Sequence, residues 1–123
     1  MTDPNEALAA LFGATPGNDL PEVPRYNVCP TNPVAVVTSD GGVRRLRVMR
    51  WGLVPSWAKD PSIGQRMINA RAETLAEKPS FRTAFKRRRC LVPANGYYEW
   101  ERTEQGKQAH YIRPRSGELL AMA

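Results

Sequence analysis

The clearest hydrophobic pattern lies in two neighbouring runs in the first half of the chain. Val34–Thr38 is mostly β-branched and apolar, Ser39–Gly42 is a turn sequence, and Val43–Arg50 alternates apolar with basic residues. Alternation with a period of two places successive side chains on opposite faces of a strand. Because a glycine-containing turn joins the two runs, the pattern predicts a β-hairpin, with Arg45 and Arg47 on a basic face.

Two stretches have the spacing of helices. The first starts at Asp3, a candidate N-cap followed by Pro4, and ends at Gly13. The second covers Pro79–Arg88, where the basic run Lys86–Arg89 suits the C-terminal end of the helix dipole. Further short strands are predicted in the last third of the chain: Cys90–Val92, Tyr97–Glu101, His110–Ile112 and Leu119–Ala123.

Met67–Glu73 is the stretch around which the candidate chemistry is organised. Its apolar residues alternate with Asn69, Arg71 and Glu73, so an extended segment would place an amide, a guanidinium and a carboxylate on one face. The pattern alone favours an edge strand with a solvated polar face. The alternative is a working surface, which the neighbouring basic residues and tryptophans support.

The charge is concentrated in the middle of the chain. The net charge is +6, and residues 44–89 hold thirteen basic residues against three acidic ones. Arginine outnumbers lysine fourteen to four, and arginine suits bidentate phosphate contacts and stacking on bases. This distribution predicts a polyanionic partner, with a solvated basic face as the alternative.

Length and composition predict one soluble domain. The 123 residues are 41% hydrophobic and 24% charged, and no apolar run approaches the roughly 20 residues that span a bilayer. The start of the chain has no secretory signal pattern. Cys29 and Cys90 form no CxxC pair and His110 is the single histidine, so we expect no metal site, no cofactor and a cytoplasmic setting.

Glu99 is a candidate acid–base group because it lies between Tyr98 and Trp100. Burial beside aromatic rings would raise the pKa of its carboxyl group. A solvent-facing carboxylate paired with an arginine is the alternative that the residues favour. Trp51, Trp57 and Trp100 fit a core first, but tryptophans near arginines also form stacking platforms for unpaired bases.

Five segments together resemble the SOS response-associated peptidase (SRAP) family of abasic-site DNA–protein crosslinking proteins. The resemblance runs in order through nearly the whole chain, which makes it more specific than any one motif. The matching segments are Arg25–Pro30, Trp51–Trp57, Ile68–Thr74, Phe81–Arg82 and Arg89–Trp100.

The resemblance implies an α+β, β-rich fold of mainly antiparallel sheets with a few short helices. It also implies a groove for single-stranded DNA, and an N-terminal cysteine, exposed by removal of the initiator Met, that forms a thiazolidine with an abasic site. By resemblance Asn69 holds the abasic sugar or the terminal cysteine, and Glu99 moves protons during ring opening and Met removal. The DNA contacts implied in the same way are Arg71, Arg82, Trp57, Trp100, Asn27 and Pro30.

The chain departs from the family pattern in two places. It begins Met1-Thr2 rather than Met-Cys-Gly-Arg, and the catalytic histidine of the family lies beyond residue 123. Cys29, Cys90 and His110 match neither missing group. We therefore expect residues 1–123 to be the central portion of an SRAP domain, a monomer that associates with the nucleoid when bound to DNA. Three hypotheses remain: a crosslinking enzyme, a binding module that lacks the nucleophile, and a fragment that is unstable because a sheet edge is open.

Overall fold

The structure, a computed structural model, describes residues 1–123 and pairs seven strands into three small sheets. Two α-helices and one 3-10 helix connect them. The α-helices are α1 (Asn5–Phe12) and α2 (Arg82–Arg87), and the 3-10 helix is Pro61–Arg66. The strands are β1 (Thr15–Pro16), β2 (Pro33–Asp40), β3 (Val43–Arg50), β4 (Val92–Ala94), β5 (Tyr97–Thr103), β6 (Gly106–Ile112) and β7 (Leu120–Met122).

The predicted central hairpin is confirmed. β2 and β3 are antiparallel, with Val37 opposite Leu46, and β1 adds to the free side of β3 in parallel. Leu46 is fully buried, whereas Arg45 beside it in sequence is exposed. The alternation of apolar and basic residues in β3 therefore separates a core face from a basic face.

The core lies between this sheet and α1. Its buried members are Leu8 and Ala9 on α1, Val37 on β2 and Leu46 on β3. α1 ends at Gly13, which has the left-handed conformation expected of a C-cap (φ 58°). We define α1 with β1, β2 and β3 as the packed layer.

The predicted N-cap at Asp3 is wrong, because α1 begins at Asn5 and Pro4 stands at the N-cap. The Asp3 carboxylate instead accepts a hydrogen bond from the Asn95 side-chain amide at 3.1 Å, and the side-chain oxygen Oδ1 of Asn95 accepts one from the Thr2 N–H at 2.7 Å. The pKa of the Met1 amine is lowered, mainly by burial and to a lesser extent by the positive charge of Arg25. The first residues of the chain are thus held against the β4–β5 connection.

The last third of the chain forms the other two sheets. β4 pairs with β7, and β5 pairs with β6, both antiparallel. A two-residue bridge between Val37 and Leu91 links β4 to the packed layer, with N–O distances of 2.8 and 2.9 Å. The β5–β6 hairpin has no buried residue. The expected α+β fold of mainly antiparallel sheets with a few short helices is confirmed.

The strand predicted at Met67–Glu73 is wrong. The segment consists of irregular backbone that enters turns after Arg71, and no strand pairs with it. The alternating residues form no β-ladder, because carbonyl groups of the segment accept hydrogen bonds from outside any strand. The Met67 carbonyl accepts from the Leu53 N–H, and the Arg71 carbonyl accepts from the Thr74 N–H. The second predicted helix is also shorter than expected, since α2 begins at Arg82 after a turn over Pro79–Phe81.

Candidate nucleic-acid interface

The segment that carries Asn69 is fixed by the tryptophan loop, which we define as Trp51–Trp57. The Trp51 indole N–H donates to the Ile68 carbonyl at 2.9 Å, and the Leu53 N–H donates to the Met67 carbonyl at 2.9 Å. These bonds hold the backbone just before Asn69, whose own side chain is exposed and forms no hydrogen bond. The Asn69 amide is therefore positioned by its neighbours and free to bind a ligand.

A close backbone approach explains the glycine in the Trp-Gly-Leu motif. Gly52 has a φ of 128°, and a Cβ at this position would lie 2.3 Å from the Gly64 carbonyl oxygen. Only glycine fits this conformation and this contact. At the Trp-Gly-Leu motif, the Trp51–Trp57 loop therefore packs against the 3-10 helix.

Trp57 forms one wall of an open cavity of about 510 Å³ and is 58% exposed. The other lining residues are Ala58, Lys59, Asp60, Ser62, Ile63, Gln65 and Arg66. Asp60 caps the 3-10 helix by accepting a hydrogen bond from the Ser62 N–H at 3.0 Å, and this bond lowers the pKa of the Asp60 carboxyl group. An exposed indole beside two cations matches the aromatic and electrostatic requirements of a single-stranded nucleic acid.

Asn27 and Pro30 lie on an exposed loop that is anchored to the same tryptophan loop. The Thr31 N–H donates to the Trp51 carbonyl at 2.8 Å, and the Asn32 side chain accepts from the Cys29 N–H at 2.9 Å. Thr31 has a φ of 73°, which is unusual for a β-branched residue and is held by these bonds. The strained turn follows Pro30 directly and fixes how the loop projects.

The β5–β6 hairpin presents an aromatic face beside this loop. Tyr98 is opposite Tyr111 with ring centroids 5.3 Å apart, and Trp100, 63% exposed, lies two residues further on the same face. The Tyr98 hydroxyl donates to the Tyr26 carbonyl at 3.1 Å and so joins the hairpin to the loop. Sequence reasoning missed Tyr98 and Tyr111, since their pairing depends on the register of two strands.

Glu99 lies on the other face of the hairpin. It is exposed and directly opposite His110, whose Nε2 is 2.8 Å from a carboxylate oxygen of Glu101. Tyr98 and Trp100 point to the opposite face because neighbours in a strand alternate. The Glu99 carboxylate is therefore solvent-facing, as the second alternative predicted, but it forms no ion pair with an arginine.

The two candidate phosphate-binding arginines differ in setting. Arg71 is exposed at the start of the turn after Asn69, and Arg82 is exposed at the first residue of α2. Hydrogen bonds join the Asn27 loop, the tryptophan loop, the Asn69 segment and the hairpin into one surface. No hydrogen bond joins Asn69 to Glu99, or α2 to this surface through a side chain.

Both cysteines are free. Cys29 is exposed, whereas Cys90 is partly buried, and this burial raises the pKa of its thiol. A raised pKa lowers the thiolate fraction at neutral pH, so Cys90 is a poor nucleophile.

The family model of SRAP, the SOS response associated peptidase family, matches residues 1–123. The chain belongs to the SRAP family. Among curated relatives, the abasic site processing protein YoqW of Bacillus subtilis is 48% identical over 101 residues, which are 81% of this chain and 45% of YoqW. The abasic site processing protein HMCES of Mus musculus is 42% identical over 97 residues, covering 69% of this chain and 28% of HMCES. The resemblance in the sequence motifs is thereby confirmed.

Solved structures agree with the SRAP assignment in fold. A protein from Bacteroides thetaiotaomicron superimposes with a TM-score of 0.83 at 29% identity, over 99% of this chain and 56% of that one. A protein from Bordetella bronchiseptica, 22% identical, gives a TM-score of 0.76 over 98% and 58% of the two chains and shows the fold alone. The SRAP chain described here spans about half the length of its Bacillus relatives. None of its helices has the length and apolarity needed to cross a membrane.

Proposed function

We propose that residues 1–123 form the part of an SRAP protein that binds single-stranded DNA at an abasic site. The observation that carries the proposal is the 48% identity to YoqW, a protein named for abasic site processing. The concentration of thirteen basic residues in residues 44–89 supports a nucleic-acid partner. Two exposed tryptophans, Trp57 and Trp100, support an unpaired rather than a duplex substrate, because stacking needs exposed base faces.

In the proposed complex the roles of the side chains follow from their chemistry. The Asn69 amide, which can both donate and accept, hydrogen-bonds the hydroxyls of the abasic sugar. Arg71 and Arg82 bind phosphates of the backbone. Trp57 and Trp100 stack on the bases beside the lesion, and the loop of Asn27 and Pro30 supports the strand.

The proposed reaction of the whole protein is a covalent crosslink through an N-terminal cysteine, a residue that this chain does not contain at its start. The abasic sugar opens when the proton of its C1 hydroxyl is removed and the ring oxygen is protonated, which yields an aldehyde. The cysteine amine adds to this aldehyde and water leaves, which gives an imine. The thiol sulfur then bonds to the imine carbon while its proton passes to the nitrogen, and a thiazolidine results. Glu99 is the group we assign to these proton transfers.

The same carboxylate serves a second proposed step, the self-processing that exposes the cysteine. Glu99 would activate the water that hydrolyses the peptide bond after the initiator Met. We place the protein in the SOS response to DNA damage as a cytoplasmic monomer that joins the nucleoid on binding DNA. Peptidase and lyase activities are proposed for the whole protein.

A non-catalytic binding module is the alternative. The specific observation that favours it concerns the two cysteines of residues 1–123: Cys29 and Cys90 are internal and therefore lack the free α-amine that the crosslink requires. This alternative keeps the DNA-binding surface and omits the crosslink.

The crosslink is tested by incubating the chain with abasic single-stranded DNA and running a denaturing gel. The 123-residue chain should give no stable adduct because it has no N-terminal cysteine. A chimera with Met-Cys-Gly-Arg placed before Thr2 and the remaining sequence of YoqW after Ala123 should give one. An adduct of the unextended chain, or none from a folded chimera, would contradict the proposed reaction.

Glu99→Gln in that chimera should slow adduct formation about a hundredfold or more, since general acid–base groups contribute at least this much. The matched control is Glu104→Gln, which removes an exposed carboxylate from the turn of the same hairpin. DNA affinity should be the same in both variants. Equal crosslinking rates in the two variants would remove Glu99 from the mechanism.

A further inference from the structure

The amino-acid composition of α2 destabilises this helix. None of its six residues is buried, and no side chain caps its first turn. Arg82 and Lys86 are four residues apart on one side of the helix, and like charges at this spacing destabilise a helix. The helix dipole accounts for cations in the last turn, Lys86 and Arg87, but not for Arg82 in the first turn.

Four side chains of α2 line one open cavity of about 390 Å³. They are Arg82, Thr83, Lys86 and Arg87, and the lining has no hydrophobic member. Two guanidinium groups, one ammonium group and one hydroxyl supply many N–H and O–H donors, and the hydroxyl is the one acceptor among them. A ligand of this cavity must therefore be an acceptor with negative charge.

These cations are not neutralised within the protein. Residues 78–89 contain six basic residues and no acidic one. The Arg47–Asp40 ion pair and the hydrogen bond between His110 and Glu101 lie elsewhere, and no α2 side chain forms a hydrogen bond. Arg89, just after the helix, lies over the Phe85 ring at 5.5 Å, on a residue that does not line the cavity.

We propose that Lys86 and Arg87 of α2 extend the phosphate-binding surface beyond Arg82, and that they hold the DNA backbone outside the segment that contains the lesion. Paired guanidinium groups bind phosphate oxygens in a bidentate manner, and a nearby ammonium group adds charge without fixed geometry. The cavity has no aromatic or apolar wall on which a base could stack, so it selects the backbone and not the sequence. This inference rests on the proposed function for the identity of the polymer.

Lys86→Gln/Arg87→Gln tests the site without changing Arg82. Glutamine keeps the helix propensity while removing two positive charges. The matched control is Arg113→Gln/Arg115→Gln, which removes two exposed charges after β6 and so lowers the net charge equally. Circular dichroism should show the same fold in both variants.

Binding is measured by fluorescence anisotropy over a range of KCl concentrations, with the 123-residue chain and single-stranded oligonucleotides. With an intact oligonucleotide of about 20 nucleotides, the α2 variant should lose about tenfold to a hundredfold in affinity at low salt. Its salt slope should fall by about 0.7 for each lost phosphate contact. With an abasic oligonucleotide too short to reach both surfaces, the α2 variant should bind as the unmodified chain does. Inorganic phosphate at equal ionic strength should not compete, because one free ion lacks the linked contacts of a strand.

Equal losses of DNA affinity in the α2 and control variants would overturn the proposal, because the change in net charge alone would then explain the loss. Unchanged affinity of the α2 variant for the long oligonucleotide, or no DNA binding by the chain, would also overturn it. Competition by inorganic phosphate would assign the cavity to a small anion and likewise contradict a DNA site. If short abasic and short intact oligonucleotides bind equally while the α2 effect persists, the proposed lesion site fails and the α2 site stands.

Discussion

The packed layer and the β5–β6 hairpin are built from antiparallel strand pairs of similar length, eight residues per strand in one and seven in the other. In the packed layer, Val37 and Leu46 are at most 6% exposed, whereas every residue of the hairpin is exposed. The difference comes from what covers the sheet: α1 lies on β2 and β3, and no element of residues 1–123 buries the hairpin. Burial of apolar side chains is the main source of stability, so the stability of this chain is concentrated in the packed layer.

The hairpin and the tryptophan loop instead carry three of the eight candidate site residues. Glu99 and Trp100 lie on the hairpin, and Trp57 lies on the loop. Their backbones are held by a few specific hydrogen bonds, such as the Tyr98 hydroxyl to the Tyr26 carbonyl. The packed layer thus supplies the buried core, whereas the hairpin and the tryptophan loop present exposed side chains that are candidates for ligand binding.

The largest effect is expected for Leu46→Ala. Removing this fully buried side chain should lower the free energy of unfolding by about 2–5 kcal/mol, which is a large share of the stability of a small domain. Urea denaturation followed by circular dichroism measures the change. Leu11→Ala is the control, since Leu11 is 66% exposed and should change stability by less than about 0.5 kcal/mol. Similar losses in both variants would contradict the assignment of the core.

A smaller effect is expected for Tyr98→Phe, which removes the hydroxyl that donates to the Tyr26 carbonyl. The loss of one exposed hydrogen bond should cost about 0.5–1 kcal/mol and should act locally. Hydrogen exchange of the β5 and β6 amides should become faster while that of β2 and β3 stays unchanged. Tyr111→Phe is the matched control, because the Tyr111 hydroxyl forms no hydrogen bond. Faster exchange in the control would show that the hydroxyl contact does not anchor the hairpin.

The smallest effect is a pH dependence of the Trp57 loop. The hydrogen bond from the Ser62 N–H lowers the pKa of Asp60, so the folded cap favours the carboxylate. The stabilisation is present above the unfolded pKa of about 3.9 and is lost as the pH falls through the lower folded pKa. The Ser62 amide resonance should therefore shift below about pH 4. Asp60→Ser keeps a capping oxygen without a titrating group and should abolish this shift; a persistent shift would assign it to another group.

Local sequence pattern was sufficient to predict the β2–β3 hairpin and the end of α1, and to identify the family, but it did not predict β1. The alternation of Leu46 with Arg45 predicted which face of β3 is buried, because successive residues of a strand lie on opposite faces of the sheet. Gly13 predicted the end of α1, because glycine adopts the left-handed conformation at little cost. The order of five motifs identified the SRAP family, and the comparisons confirm it.

The same kind of pattern failed at Met67–Glu73, where alternation did not produce a strand. A strand needs a partner that supplies hydrogen bonds, and here the tryptophan loop takes the Met67 and Ile68 carbonyls instead. The sequence by itself therefore determined the family, the core hairpin and the residue types of the candidate site. Only the tertiary structure decided where those residues lie: Asn69 on irregular backbone, Glu99 opposite His110, and the α2 cations around one cavity. Periodicity is a property of neighbours in the chain, whereas these placements depend on hydrogen bonds and packing between residues far apart in the sequence.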